Sequence, residues 1–156
     1  MQTYKHTQIG WVTIGAIAGG ALLMAWVGLI GTAPRIVLQL VTATILLIAV
    51  VFSYQTIEVN ETHVISRFGL GVMPKRILLS DIRDVGYAPS KWYDGWGVRL
   101  TTRGWLYNVS GFDAVEFTMA DKSRIRFGTD DYDNLVEALR EAVPAAKVGL
   151  SRPGNP

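Results

Sequence analysis

No charged side chain occurs between His6 and Arg35, and none between Arg35 and Glu58. Two uncharged apolar stretches separated by one arginine, ahead of a region of ordinary mixed composition, read as a membrane hairpin carrying a domain. The stretches cover residues 9–31 and 36–54, and as helices each would reach ~28–35 Å, against a hydrocarbon core of ~30 Å. In lipid a backbone must satisfy its own polar groups, so helix is the expected state. Two adjacent runs of this length exceed what the core of a small domain can use, which argues against a buried helix pair. A cleaved leader is disfavoured because the first run is longer than the ~7–15 residues of a signal core and a second follows at once.

Gly31-Thr32-Ala33-Pro34-Arg35 is a tight connection, and Pro34 suits the start of the second helix. The helices are therefore expected as antiparallel neighbours, with Trp11 and Tyr54 in an aromatic belt. Gly15, Gly19 and Gly20 place small residues four apart with Ala16, a pattern that admits close helix packing, either within the hairpin or against a second copy. Both chain ends then lie on one side of the membrane. That side carries Lys5, Arg67, Lys75 and Arg76, the other only Arg35, so the positive-inside bias expects the termini and the domain in the cytoplasm. Residues 1–8 read as an N-terminal tail and 144–156 as a disordered C-terminal one.

The composition sets further bounds. All thirteen acidic residues lie between Glu58 and Glu141, together with eleven of the fifteen Lys and Arg, so that span has a formal charge of −2. The chain's net +2 is thus no basic domain, and nucleic acid is not an expected partner. Cysteine is absent, which removes disulfides and thiolate metal sites.

From Thr56 onward the pattern becomes short alternating runs, the mark of strands. Seven or eight are expected, with candidates near 57–59, 63–68, 76–79, 82–87, 98–100, 105–109, 115–119 and 125–127. A helix follows, with Thr129-Asp130-Asp131 at its start, Leu135, Leu139 and Val143 on one face, and Pro144 ending it. The expected fold is a membrane-anchored α+β protein: two transmembrane helices, then an antiparallel barrel or sandwich of seven to eight strands over 56–143, capped by the helix.

Four runs stand out: Pro74-Lys75-Arg76-Ile77-Leu78-Leu79-Ser80-Asp81-Ile82, Gly95-Trp96-Gly97-Val98-Arg99, Tyr107-Asn108-Val109-Ser110-Gly111 and Phe127-Gly128-Thr129-Asp130-Asp131. Together with the order of elements they resemble bacterial pleckstrin-homology-like domains, which implies a bacterial inner membrane as the location. The resemblance covers 57–143 and implies a fold, often behind a membrane hairpin, rather than an activity. Eukaryotic phosphoinositide-binding members carry a long basic loop in the first strand pair. Here that loop is Asn60-Glu61-Thr62, short and acidic, so inositol-phosphate recognition does not carry over.

Candidate sites are two. Lys91, Trp92, Tyr93, Trp96, Arg99 and Trp105 mix aromatic, glycine-flanked and basic residues, which suits a protein interface, a lipid headgroup layer, or simply closure of an open barrel end. Arg67, Lys75 and Arg76 suit an anionic lipid surface, or a solvated strand edge. No metal or catalytic motif is present: His63 stands alone in the domain, and the Asp130-Asp131-Asp133 run lacks the glycine and glutamate of a calcium loop. The expectation is a non-catalytic module without cofactor, metal or small-molecule substrate, binding a protein partner or itself beneath the bilayer. The alternative is sensing of anionic lipid headgroups.

Overall fold

In the computed structural model, which describes residues 2–31, 34–89, 95–102, 104–143 and 147–149, two apolar helices project from one end of a two-sheet β-domain. Helix α1 (Trp11–Leu29) and helix α2 (Arg35–Phe52) have 19 and 18 residues, and neither buries a single one. Leu22, Leu29, Leu40 and Leu47 are all exposed, so the pair is apolar on its outside, unlike a core helix. Both helices are long and apolar enough to cross a membrane. Pro34 stands immediately before α2, where its fixed φ is compatible with a helix start.

The sequence reads as a tail over 1–8, but residues there form strand β1 (Gln2–Ile9). It pairs antiparallel with β2 (Tyr54–Asn60), Ile9 opposite Tyr54 and Gln2 opposite Asn60. The strand entering α1 and the strand leaving α2 are thus neighbours. The Gly10 N–H donates to the Ser53 carbonyl at 2.6 Å, closing the junction with no linker on either side. Alternation of apolar residues is missing from β1 because its inward anchor is polar. Gln8 is buried and donates to Gln55 at 3.0 Å and to the Gly128 carbonyl at 3.2 Å. Gln55 in turn donates to Ser66 at 2.8 Å and to the Tyr107 carbonyl at 3.2 Å. Buried amides paired in this way specify register, since a slip would leave each unsatisfied.

Strands β3 (His63–Phe68) and β4 (Val72–Leu78) complete a sheet in the order β1-β2-β3-β4. A single 3₁₀ turn over Leu79–Asp81 leads to the second sheet. It comprises β5 (Ile82–Tyr87), β6 (Gly97–Thr101), β7 (Gly104–Asn108), β8 (Ala114–Met119), β9 (Arg124–Gly128) and the short β10 (Lys147–Gly149), in the order β10-β5-β8-β9-β7-β6. Each of the eight strands from β2 to β9 overlaps an expected one, but β4 begins four residues early, running through Pro74, and ends before Leu79, which opens the 3₁₀ turn. Their arrangement differs in three respects. The sheets do not close into a barrel. The second sheet is mixed rather than antiparallel: the β8–β9 hairpin inserts between β5 and β7, making β7 parallel to β9, and β10 adds in parallel to the other edge of β5. Finally, 147–149 form a strand inside the stretch expected to be disordered; the rest of 144–156 lies outside the described residues. Period-two alternation shows that a strand exists and which face is buried, but not which strand lies beside it.

Helix α3 (Tyr132–Ala142) packs over β1, β2 and β8 and buries Tyr132, Leu135, Val136 and Leu139. Its start is held to β1. The Tyr4 hydroxyl donates to Asp131 at 3.0 Å, and His6 Nε2 lies 2.6 Å from Asp130. Burial, reinforced by the Asp131 carboxylate, pushes the Tyr4 hydroxyl far above the usual phenol range, so it remains a donor. In the core, Phe52 of α2 contacts Phe68, which is followed by Tyr107, Phe127 and Phe117, with successive ring centroids 5.5, 6.3, 5.6 and 5.3 Å apart. The last residue of the helix pair is therefore the first ring of the domain's aromatic core.

The turn between β3 and β4 meets α2 equally closely. Gly69 has φ +47°, and a Cβ there would overlap the carbonyl oxygens of Val50 and Val51. Gly71 also has positive φ, at +91°, but faces open space. Gly69→Ala is expected to lower stability by on the order of 3 kcal/mol and Gly71→Ala by about 1, read as loss of thermal stability in detergent. Equal losses would mean that the turn does not abut the helix.

Candidate functional site

The ends of the domain differ in chemistry. At the helix end, β2, β4, β6 and β8 begin and β3, β5, β7 and β9 finish; Phe52 lies against Gly97, and Gln8 against Gly128. At the distal end lie the β2–β3 turn at 60–62, the 3₁₀ turn and the β8–β9 turn. A groove of about 600 Å³ opens there, between β4 and the β8–β9 turn. That volume falls within the range of ligand-sized clefts. Its charged lining includes Lys75, Arg76, Asp81 and Asp121, with His63 beside them and Ile77 and Ile125 as apolar walls. Hydrogen bonds from the Ser123 hydroxyl and N–H hold the Asp121 carboxyl below the usual carboxylate range. The groove thus opposes Lys75 and Arg76 to an ionised aspartate.

An apolar row continues from it. Ile125 of β9 is the register partner of Trp105 of β7, which is the partner of Leu100 on β6. Cross-strand partners share a face, so the three side chains lie side by side on the face that carries Tyr107 further along. Ile125 is buried, but Trp105 is 45% and Leu100 68% exposed. The row ends on β6, whose outer edge pairs with no other strand among the described residues. The hairpin carrying it is tight. Thr101 Oγ1 donates to the Gly104 carbonyl at 2.7 Å and accepts from Arg126 at 2.6 Å. Gly104 has φ +102° and lies against Arg124, where a Cβ would not fit.

The residues singled out in the sequence do not form one site. Trp96 lies at the helix end, its ring 6.4 Å from Phe112, and lines a gap with Thr13, Ile48 and Phe52. Trp105 lies at the distal end, and the Arg99 guanidinium packs over the Gly95 backbone. Lys91, Trp92 and Tyr93 lie outside the described residues. The basic trio also divides. Lys75 and Arg76 line the distal groove, whereas Arg67 forms an ion pair with Glu58, which also binds Lys5 at 3.0 Å. Lys5, Glu58 and Arg67 sit on adjacent strands and line a small depression with Tyr54 and Leu70 at the helix end. In the helix pair, a Cβ at Gly20 would lie 3.4 Å from Ile45, while Gly15 and Gly19 meet nothing within 4 Å. Gly20 therefore faces the α1–α2 seam and the other two glycines face away from α2.

Among the described residues no group of three or more His, Asp and Glu could hold a metal ion. Sequence reasoning missed Leu100 as a site residue and the apolar turn residue Leu70. The second has a legible signal: a large apolar side chain between two glycines in a turn has nowhere to bury. Comparison with family models, with characterised proteins and with solved structures returned no match.

If the Leu100–Trp105 row is surface rather than core, Leu100→Ser changes unfolding stability by no more than about 0.5 kcal/mol, whereas Phe127→Ala in the core costs about 3–5 kcal/mol. A loss of core size at Leu100 would show that the row is a packing element.

Proposed function

We propose that this protein is a non-catalytic, membrane-anchored interaction module that binds a protein partner, or a second copy of itself, through the distal face of its domain. One observation carries the reading: exposed Leu100, on the strand β6 whose outer edge pairs with no other described strand, lies beside exposed Trp105 of β7 at the end remote from the apolar helices. Desolvated tryptophan flanked by aliphatic and basic side chains is the composition of interface hot spots, and an unpaired strand edge supplies main-chain donors and acceptors to an incoming strand. Lys75 and Arg76 in the adjoining groove favour an acidic segment in the partner. In this reading α1 and α2 span a bacterial inner membrane, and the asymmetry of Lys5, Arg67, Lys75 and Arg76 against Arg35 puts the domain in the cytoplasm. Eight strands followed by a helix support kinship with bacterial pleckstrin-homology-like domains; the parallel β7–β9 pair is a departure from a simple meander.

A photocrosslinking residue placed at Leu100 in intact membranes is expected to give a discrete adduct, and one placed at the exposed Glu137 of α3 to give none. An adduct of twice the chain mass identifies self-association. Removing the tryptophan with Trp105→Ala should cost about 2 kcal/mol of binding, roughly thirtyfold in affinity, and with it most of the adduct. Absence of any adduct at Leu100 removes the proposal.

A further inference from the structure

We infer that the helix end of the domain is itself a lipid-contact surface, a collar seated in the bilayer interface around the α1–α2 pair. The inference rests on the reading that α1 and α2 span a membrane, and it concerns a different face from the partner surface proposed above.

Three segments build the collar. The β3–β4 turn brings Gly69 against the Val50 and Val51 carbonyls, and these belong to the last turn of α2. On another side, Trp96, Gly97 and Val98 line a gap whose opposite wall is Thr13 of α1 with Ile48 and Phe52 of α2. Phe112, in the β7–β8 connection, stands beside Trp96. The domain therefore reaches about one helical turn, ~5 Å, past the point where its strands become helices.

Helix length converts that overlap into depth. Nineteen and eighteen residues give ~28 and ~27 Å, slightly less than a hydrocarbon core of ~30 Å. The helices have no length to spare, so their domain-side ends cannot stand clear of the bilayer. Nor can the domain lift away, because Gly10 and Ser53 are hydrogen-bonded across the junction. Whatever lies level with the last helical turn then lies at the hydrocarbon edge, and the next ~5–8 Å of the domain lies among headgroups.

The side chains fit that position. Leu70 is 79% exposed, Phe112 55%, Met73 46% and Val72 41%. Residues 68–74, 95–98 and 109–112 contain no charged side chain. The distal turns are the opposite, with Glu61, Asp81, Asp121, Lys122 and Arg124. Exposed apolar residues in these uncharged segments, beside helices of bilayer length, are explained by lipid as the occupant. Tryptophan at such a boundary is likewise at its preferred depth.

The chain has no cysteine, so single cysteines can report depth in the full-length protein reconstituted in nanodiscs. Leu70→Cys, Phe112→Cys, the mid-helix Leu22→Cys and the distal Glu61→Cys, each carrying a polarity-sensitive fluorophore, are compared with nitroxide lipids labelled near the headgroup or near the chain end. The expected result is loss of fluorescence at Leu70 and Phe112 with the shallow quencher, at Leu22 with the deep one, and at Glu61 with neither. Quenching at Leu22 together with Leu70 and Phe112 behaving like Glu61 overturns the collar and leaves the anchor intact. No quenching at Leu22 overturns both. An independent arm uses the unlabelled cysteines: a soluble maleimide should modify Leu70→Cys and Phe112→Cys more slowly in nanodiscs than after denaturation, and Glu61→Cys at similar rates. Unhindered modification at the first two positions counts against the collar.

Discussion

The pairing of β1 with β2 is the constraint on which the rest of the molecule depends. Those strands lead directly into α1 and out of α2, so one hydrogen-bonded ladder fixes both ends of the helix pair relative to the domain. The ladder is not held by apolar side chains alone. Its inner end is a chain of buried polar side chains, Gln8 to Gln55 to the Ser66 hydroxyl, and its middle is tied to α3 through Tyr4 and His6. Polar groups sealed from water tolerate few alternative registers, because each misplacement strands a donor. The result is a domain whose orientation relative to the helices is set by short-range chemistry rather than by a tether.

A second consequence concerns the sheets. Helix α3 covers β1, β2 and β8, one side of the layered domain. Among the described residues the β4 side carries no such cover and retains the groove lined by Lys75, Arg76 and Ile125. A barrel closed by hydrogen bonds would have no free edge at β6 and no exposed Leu100–Trp105 pair. The open architecture therefore creates the surface on which the proposed partner binding rests. The helix end, where the aromatic core begins with Phe52, is committed instead to the helices. The two ends are thus suited to different surroundings, one continuous with apolar helices and rimmed by uncharged turns, the other charged and grooved.

Much of this was legible without coordinates, and the limits are physical. The charge-free runs could only be apolar helices, because apolarity over such a length is a local property. The eight strands from β2 to β9 and the amphipathic α3 were readable for the same reason: period two and period 3.6 are written in neighbouring residues. β1 was not readable, since Gln2-Thr3-Tyr4-Lys5-His6-Thr7-Gln8 contains hardly any apolar alternation and its anchor is a buried glutamine. Nor was the division of the candidate site. Trp96 and Trp105 are nine positions apart in the chain, yet the β6–β7 hairpin puts them at opposite ends of the sheet. Arg67 and Lys75 separate similarly, one answering Glu58 and the other facing the groove.

What the chain of residues determined by itself was the identity of its elements: two bilayer-length helices, a run of strands and a closing helix, each dictated by side-chain periodicity within a few turns or pleats. Only the tertiary structure decided who lies beside whom: β1 against β2, β9 between β8 and β7, an edge left open at β6, and a rim of Leu70, Trp96 and Phe112 around the helix ends. Adjacency depends on contacts between residues far apart in sequence, including those from Gln8 to Gly128 and from Phe52 to Phe68, and no local pattern encodes which distant partner will satisfy a buried amide or complete an aromatic core.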